Sequence, residues 1–142
     1  MLEFGEKING VTYTERPGAY AIINDGHNKF AFLEVRGRYF LPGGGIDAGD
    51  SAEQTVIREA QEEMGAQVVV GKEICSAGEY LYSKSEDEHF HIAGVFFEAR
   101  VEGQTQGGIE DDHKLTWLTL EEARPNIARQ SQLWAIEQTL PK

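Results

Sequence analysis

Between Leu41 and Gly65 the chain reads LPGGGIDAGDSAEQTVIREAQEEMG, and this stretch leaves few choices of local structure. Pro42 fixes one backbone angle, and the four glycines before Asp50 permit turns closed to other residues, so the segment opens as a loop. Asp50 or Ser51 then supplies a helix N-cap, with Glu53 or Gln54 three residues on as capping-box partner. Ala52, Val56, Ala60 and Met64 recur every four residues with Ile57 beside them, giving an apolar stripe of helical period that Gly65 ends. At about 100° per residue, Glu59, Glu62 and Glu63 share one sector at the edge of that stripe, where core meets solvent.

Like charges at this spacing cost an isolated helix roughly 0.2–0.5 kcal/mol per pair. A solvated acidic face tolerates that cost, whereas a cation against the face reverses it. Mg²⁺ prefers oxygen ligands and commonly takes one or two carboxylates together with substrate phosphates.

Around this helix the pattern changes to that of strands. AYAIIND (Ala19–Asp25) and KFAFLEVR (Lys29–Arg36) are apolar runs separated by GHN, which reads as a hairpin turn. RYF opens the glycine-rich stretch as a short strand. QVVVGKEICSAGEYLYS and EHFHIAGVFFEARVE follow the helix as longer strands, and KLTWLTL (Lys114–Leu120) alternates as a further one. SQLWAIEQTL closes the chain as a helix, with Ser131 as cap and Leu133, Trp134, Ile136 and Leu140 as its apolar set. Strands on both sides of a central helix, with a terminal helix, imply an α+β fold in which a mixed sheet lies between helices.

A chain of 142 residues fits one domain spanning 1–142. Thirteen Lys and Arg against 24 Asp and Glu give a net charge of −11, which argues against a nucleic acid polymer as partner. It does not exclude a small anionic substrate bridged by cations. Cys75 is the sole cysteine, so neither an intrachain disulfide nor a thiolate zinc cluster can form. With no apolar leader in MLEFGEKING and no membrane-length apolar run, the expectation is a cytoplasmic protein that does not enter membranes.

From Gly44 the string GGIDAGDSAEQTVIREAQEEMGA resembles the Nudix box: Gly, five residues, Glu, seven residues, then Arg-Glu-hydrophobe-any-Glu-Glu-any-Gly-hydrophobe. Gly44, Arg58, Glu59, Glu62, Glu63 and Gly65 fall on the pattern, with Ala60 and Ala66 as small members at the hydrophobic positions. Asp50 stands where the box has its first Glu, shorter by one methylene. The resemblance implies a Nudix-type α/β/α sandwich and a metal-dependent, MutT-like pyrophosphohydrolase. Such an enzyme cleaves a diphosphate linkage in a small nucleotide by water attack, with Mg²⁺ or Mn²⁺, and many relatives form homodimers. It implies Glu59, Glu62 and Glu63 as metal carboxylates, the Gly44 backbone as a carbonyl ligand, and Arg58 as the residue orienting Glu59 or Glu62. The general base differs among Nudix branches; Glu62 in the box and Glu110, in GGIEDDHKLTW, are its candidates here.

Other residues are less specific. Arg36 and Arg38 flank Gly37 near where the family's phosphates lie, though either also suits an exposed strand end. Tyr20, Phe40, Tyr80, Tyr82 and Phe90 are candidates for stacking on a base, or core residues. His89 and His91 share a strand face without an evident third ligand. KSEDEHF (Lys84–Phe90) has the charge density of a loop over the site. A non-catalytic Nudix-fold module that senses a ligand is the alternative; it usually shows damaged box carboxylates, and here only Asp50 speaks for it.

Overall fold

The computed structural model describes residues 1–103 and 113–141. Strands β1 (Leu2–Phe4), β2 (Thr14–Ile23), β3 (Phe30–Val35), β4 (Arg38–Phe40) and β5 (Gly43–Gly45) precede helix α1 (Ala52–Met64). Strands β6 (Gln67–Ser83), β7 (Glu88–Glu102) and β8 (Lys114–Leu118) follow, then helices α2 (Leu120–Ala123) and α3 (Gln130–Glu137). A mixed sheet of five strands runs in the order β1-β6-β7-β2-β5, and β4-β3-β8 form a second sheet of three.

Alternation along the strands decides which helix each face receives. Ala19, Ala21 and Ile23 of β2 and Ala31 and Leu33 of β3 pack with Val56, Ala60 and Met64 of α1. Their neighbours Ile22, Phe30 and Phe32 pack with Leu120 and Ala123 of α2 and with Ala135 and Ile136 of α3. A strand covered on both faces needs apolar residues at nearly every position, which is why AYAII and FAFL lack polar alternation. The result is the α/β/α arrangement.

The GHN turn forms, with the Asp25 amide on the Lys29 carbonyl at 2.9 Å and a bridge between Asn24 and Phe30. The expected hairpin does not continue, however. Beyond that bridge β2 runs parallel to β7 along its full length, while β3 pairs with β4 and β8 in the other sheet. Strands apolar on both faces are not obliged to pair with their chain neighbour, and β7 offers β2 the longer ladder.

KSEDEHF is the turn of the β6–β7 hairpin rather than a cover for a site. Phe90 is buried there beneath the Arg16 guanidinium, 3.9 Å from its ring centroid, and Arg16 also pairs with Glu86 at 3.7 Å. No described helix is long and apolar enough to cross a membrane.

Candidate active site

The glycine-rich stretch carries a strand that its composition hid. β5 consists of Gly43, Gly44 and Gly45, paired antiparallel with β2, and α1 lies against it. Gly43 has φ 143°, and a Cβ there would collide with the Ala19 carbonyl. A Cβ on Gly44 would lie 2.6 Å from Glu59 Oε1. The absence of side chains on β5 therefore lets the carboxylates of α1 descend onto strand backbone.

Helix α1 is fixed at both ends. Ser51, not Asp50, is its N-cap, forming a capping box with Gln54, and Gly65 closes it in the left-handed conformation at φ 61°. The expected stripe is buried at Val56, Ala60 and Met64, but Ile57 stands outside it, 47% exposed. Glu59 and Glu63, one turn apart, face β5. The Gly43 amide donates to Glu63 Oε1 at 2.9 Å, and His113 Nδ1 lies 3.8 Å from Glu63 Oε2.

Glu62 departs from this pair. It lines a different groove, with Ile57, Arg58, Gln61, Gln67, Val68 and Glu102. Helical spacing put the three carboxylates in one sector, but that sector straddles the ridge where α1 meets β5. Among the described residues no three His, Cys, Asp or Glu side chains group as ligands of one ion. Glu59 and Glu63 nonetheless offer hard oxygen donors beside the Gly44 backbone, over a cradle that any side chain on Gly44 would fill. That donor set suits Mg²⁺ or Mn²⁺.

Arg58 gathers the acidic groups on the other side of Glu59. Its Nη1 is 3.5 Å from Glu59 Oε1, and its Nη2 is 3.4 Å from Asp47 Oδ2 and 3.7 Å from Asp50 Oδ2. These distances describe ion pairs more than hydrogen bonds, and Nη2 is buried without a hydrogen-bond partner. Asp50, released from capping by Ser51, thus shares Arg58 with Asp47, which sequence reasoning did not single out.

The carboxylate pair forms one end of a cleft of about 270 Å³, whose wall includes Tyr20, Phe40, Gly44, Glu63, Arg129 and Gln132. Of the stacking candidates, Tyr20 and Phe40 line it; Tyr80, Tyr82 and Phe90 do not. The Tyr20 hydroxyl is pushed up to about 12, first by burial, with Arg129 pulling it down and Glu63, Glu79 and Glu59 pushing it further up. It is therefore protonated at neutral pH.

The expected phosphate contacts Arg36 and Arg38 do not line the cleft. Arg36 (φ 52°) and Gly37 (φ 79°) form the two-residue turn between β3 and β4, and Arg38 Nη2 donates to the Ala128 carbonyl at 3.2 Å. Positive φ at both turn residues matches the twist of a tight hairpin and points Arg36 away from the paired strands. The cation in the cleft is Arg129 instead, with its guanidinium 5.2 Å from the Phe40 ring centroid. The one clue to it in the sequence was its spacing of three from Gln132 at the start of the last helix, which puts both on one face.

That start is capped unexpectedly. Arg129, not Ser131, holds the N-cap position of α3 and makes no side-chain cap. The buried carboxylate of Glu79 on β6 caps the helix, taking the Ser131 amide at 3.0 Å, the Ser131 hydroxyl at 2.6 Å and the Gln130 amide at 3.3 Å. His91, weighed as half of a two-His metal pair, lies instead between Glu3 and Glu15, each 2.5 Å from a ring nitrogen. Glu110, with Asp111 and Asp112, lies outside the described residues.

The NUDIX domain model matches residues 14–137. A Bacillus subtilis (strain 168) protein, provisionally named an 8-oxo-dGTP diphosphatase, is 33% identical over 109 residues, covering 75% of this chain and 67% of its own. A NUDIX hydrolase from Nitrosomonas europaea superimposes with a TM-score of 0.73 at 18% identity, covering 88% of each chain. A MutT protein from Methanosarcina mazei Go1 does so at 0.71 and 19% identity, covering 91% of this chain and 95% of that one. Together with a glycine strand lying under a carboxylate helix, these matches identify the chain as a member of the NUDIX domain family, a MutT-like Nudix hydrolase.

Proposed function

We propose that this chain is a pyrophosphohydrolase, dependent on Mg²⁺ or Mn²⁺, that cleaves a diphosphate linkage in a nucleoside triphosphate or related nucleotide by water attack. The observation that carries the reading is the stacking of Glu59 and Glu63 over the side-chain-free strand β5, at one end of a cleft with aromatic walls. The diphosphatase name of the Bacillus subtilis relative supports a nucleotide substrate.

In this reading Glu59, Glu63 and the Gly44 backbone hold the metal. The ion, when bound, supplies positive charge to the diphosphate oxygens and lowers the pKa of water. Arg58 restrains Glu59 through their ion pair, so the carboxylate keeps its place over Gly44. The Gly43 amide does the same for Glu63. A carboxylate then takes the proton of the attacking water, a step contributing roughly 10²–10⁴-fold to the rate. Glu62, half-buried at the flank of the pair, and Glu110 are the candidates for it. Tyr20 and Phe40 give the cleft flat apolar faces for a base.

The test is release of phosphate and pyrophosphate from a panel of nucleoside triphosphates (8-oxo-dGTP included), nucleotide sugars, ADP-ribose and dinucleoside polyphosphates. The wild type is assayed with Mg²⁺, with Mn²⁺ and with EDTA, beside Glu63→Gln. Metal-dependent turnover of one class, lost in Glu63→Gln, is the expected result. Silence across the panel with metal-dependent nucleotide binding intact would instead make the chain a sensing module.

A further inference from the structure

The end of the cleft remote from Glu59 and Glu63 has a distinct chemistry: its side chains donate hydrogen bonds and do not accept them. Gln132 is 4% exposed, and its Oε1 accepts the Leu41 amide at 2.8 Å. An amide whose oxygen is committed in this way must turn its NH₂ in another direction. No described group accepts from that Nε2. Arg129, three residues earlier on the same turn, adds a guanidinium seated on Phe40; among the described residues it has no carboxylate or carbonyl partner.

Both donors are held in place. Glu79 ties down the Gln130 and Ser131 amides between them, and Leu41 holds Gln132. A buried donor left unpaired costs about 1–3 kcal/mol, so this end is poor as a site for an apolar group and good for one with adjacent acceptors. At about 270 Å³ the cleft has room for a planar base rather than a whole nucleotide.

We infer that Arg129 and Gln132 read the base of the nucleotide and select the O6 and N7 acceptors of a 6-oxopurine over adenine. This rests on the proposed nucleotide substrate and names its class. Guanine and hypoxanthine present O6 and N7 as two neighbouring acceptors, the pair to which arginine donates bidentately. Adenine puts an N6 amino donor in place of O6, so donor meets donor. A site built to donate rejects the analogue that cannot accept, because its own buried groups then stay unpaired. A phosphate on Arg129 is a poorer fit, since it would carry the diphosphate to the end of the cleft away from the carboxylates.

The test is calorimetric titration of the whole protein, with Mg²⁺ present, by dGMP, dIMP, 7-deaza-dGMP and dAMP. All four carry the same phosphate, so a phosphate contact alone gives equal affinities. The wild type is expected to bind dGMP and dIMP at least about tenfold more tightly than dAMP and 7-deaza-dGMP. Gln132→Glu keeps an acceptor for the Leu41 amide but removes the free donor, and should shrink that ratio. Arg129→Leu, at a half-buried position that tolerates change, keeps contact with Phe40 and should shrink it independently. Equal affinities in the wild type, no binding of any of the four, or a ratio untouched in both variants would overturn the inference.

Turnover of the matching triphosphates separates this from the hydrolase reading. Metal-dependent turnover without base preference refutes the base-reading role alone. Base-selective binding without turnover refutes hydrolysis alone.

Discussion

Replacing Glu79 should loosen the far end of the cleft in a way that stability measurements can quantify. The residue lies within β6, buried, and its carboxylate takes three hydrogen bonds from the first turn of α3. Two of them, from the Ser131 amide and hydroxyl at 3.0 and 2.6 Å, have good length, while that from the Gln130 amide at 3.3 Å is weak. Hydrogen bonds to a charged group contribute about 1.5–3 kcal/mol each. A carboxylate at the positive end of a helix adds about 0.3–1 kcal/mol. Against these stands the cost of keeping the carboxylate out of water, several kcal/mol for a buried ion. The net expectation for Glu79→Ala is a loss of about 2–4 kcal/mol, between removal of an ordinary N-cap and breakage of a buried ionic pair.

Glu79→Gln keeps the shape and one acceptor, so it should cost less, about 1–2 kcal/mol. Urea unfolding followed by circular dichroism checks both, the midpoint falling while the slope is unchanged. Ser131→Ala completes a double-mutant cycle, in which a coupling of about 1 kcal/mol or more is expected for groups in direct contact. A Glu79→Ala penalty below about 0.5 kcal/mol, within the range of an ordinary surface substitution, would refute the capping role. Additivity with Ser131→Ala would refute it equally.

Gly44→Ala places a Cβ 2.6 Å from Glu59 Oε1, so the carboxylate must shift; turnover should fall by about 10²-fold with little change in thermal midpoint. Unchanged turnover would show that the seat of Glu59 over Gly44 is immaterial. Burial works against a charged His91 ring, but hydrogen bonds and charge from Glu3 and Glu15 outweigh it and raise its pKa above 6.5. A raised folded-state pKa gives stability that is complete below the ordinary value and is lost as pH rises through the folded one. The advantage of wild type over His91→Gln in urea midpoint should thus shrink as pH rises, modestly, since Glu15 is 66% exposed and screened; a gap that widened would refute it. Ser51→Ala removes one half of the α1 capping box and should cost about 1 kcal/mol in urea unfolding, whereas Asp50→Ala should leave the cap intact.

What could be read from the sequence was what local physics determines. The boundaries of β6 and β7, the Gly65 stop and the Ser51–Gln54 alternative of the α1 cap follow from period, propensity and capping chemistry, each a matter of a few neighbouring residues. Glu59 and Glu63 stood out for the same reason, although their division from Glu62 depends on where β5 lies. Partner choice between strands was not local: the β2–β3 turn forms, yet β2 takes β7, some 70 residues away. Three consecutive glycines give no apolar signal, so β5 exists only because β2 offers it an edge. Arg129 escaped notice because its environment is made by Phe40, about 90 residues earlier.

The two ends of the cleft are built by separate devices, and that separation has a consequence for how such an enzyme changes substrate. At the reacting end, glycine backbone accepts the carboxylates of α1, and almost any substitution in β5 intrudes on Glu59 or on β2. At the far end, Arg129 and Gln132 stand on a helix turn fixed from below by Glu79 and from the side by Leu41. Neither anchor of that turn touches α1 or β5. Side chains on the turn are therefore open to exchange while the carboxylate pair keeps its geometry. Substrate preference in this chain is for that reason a property of α3, and the diphosphate chemistry a property of α1 and its glycine strand.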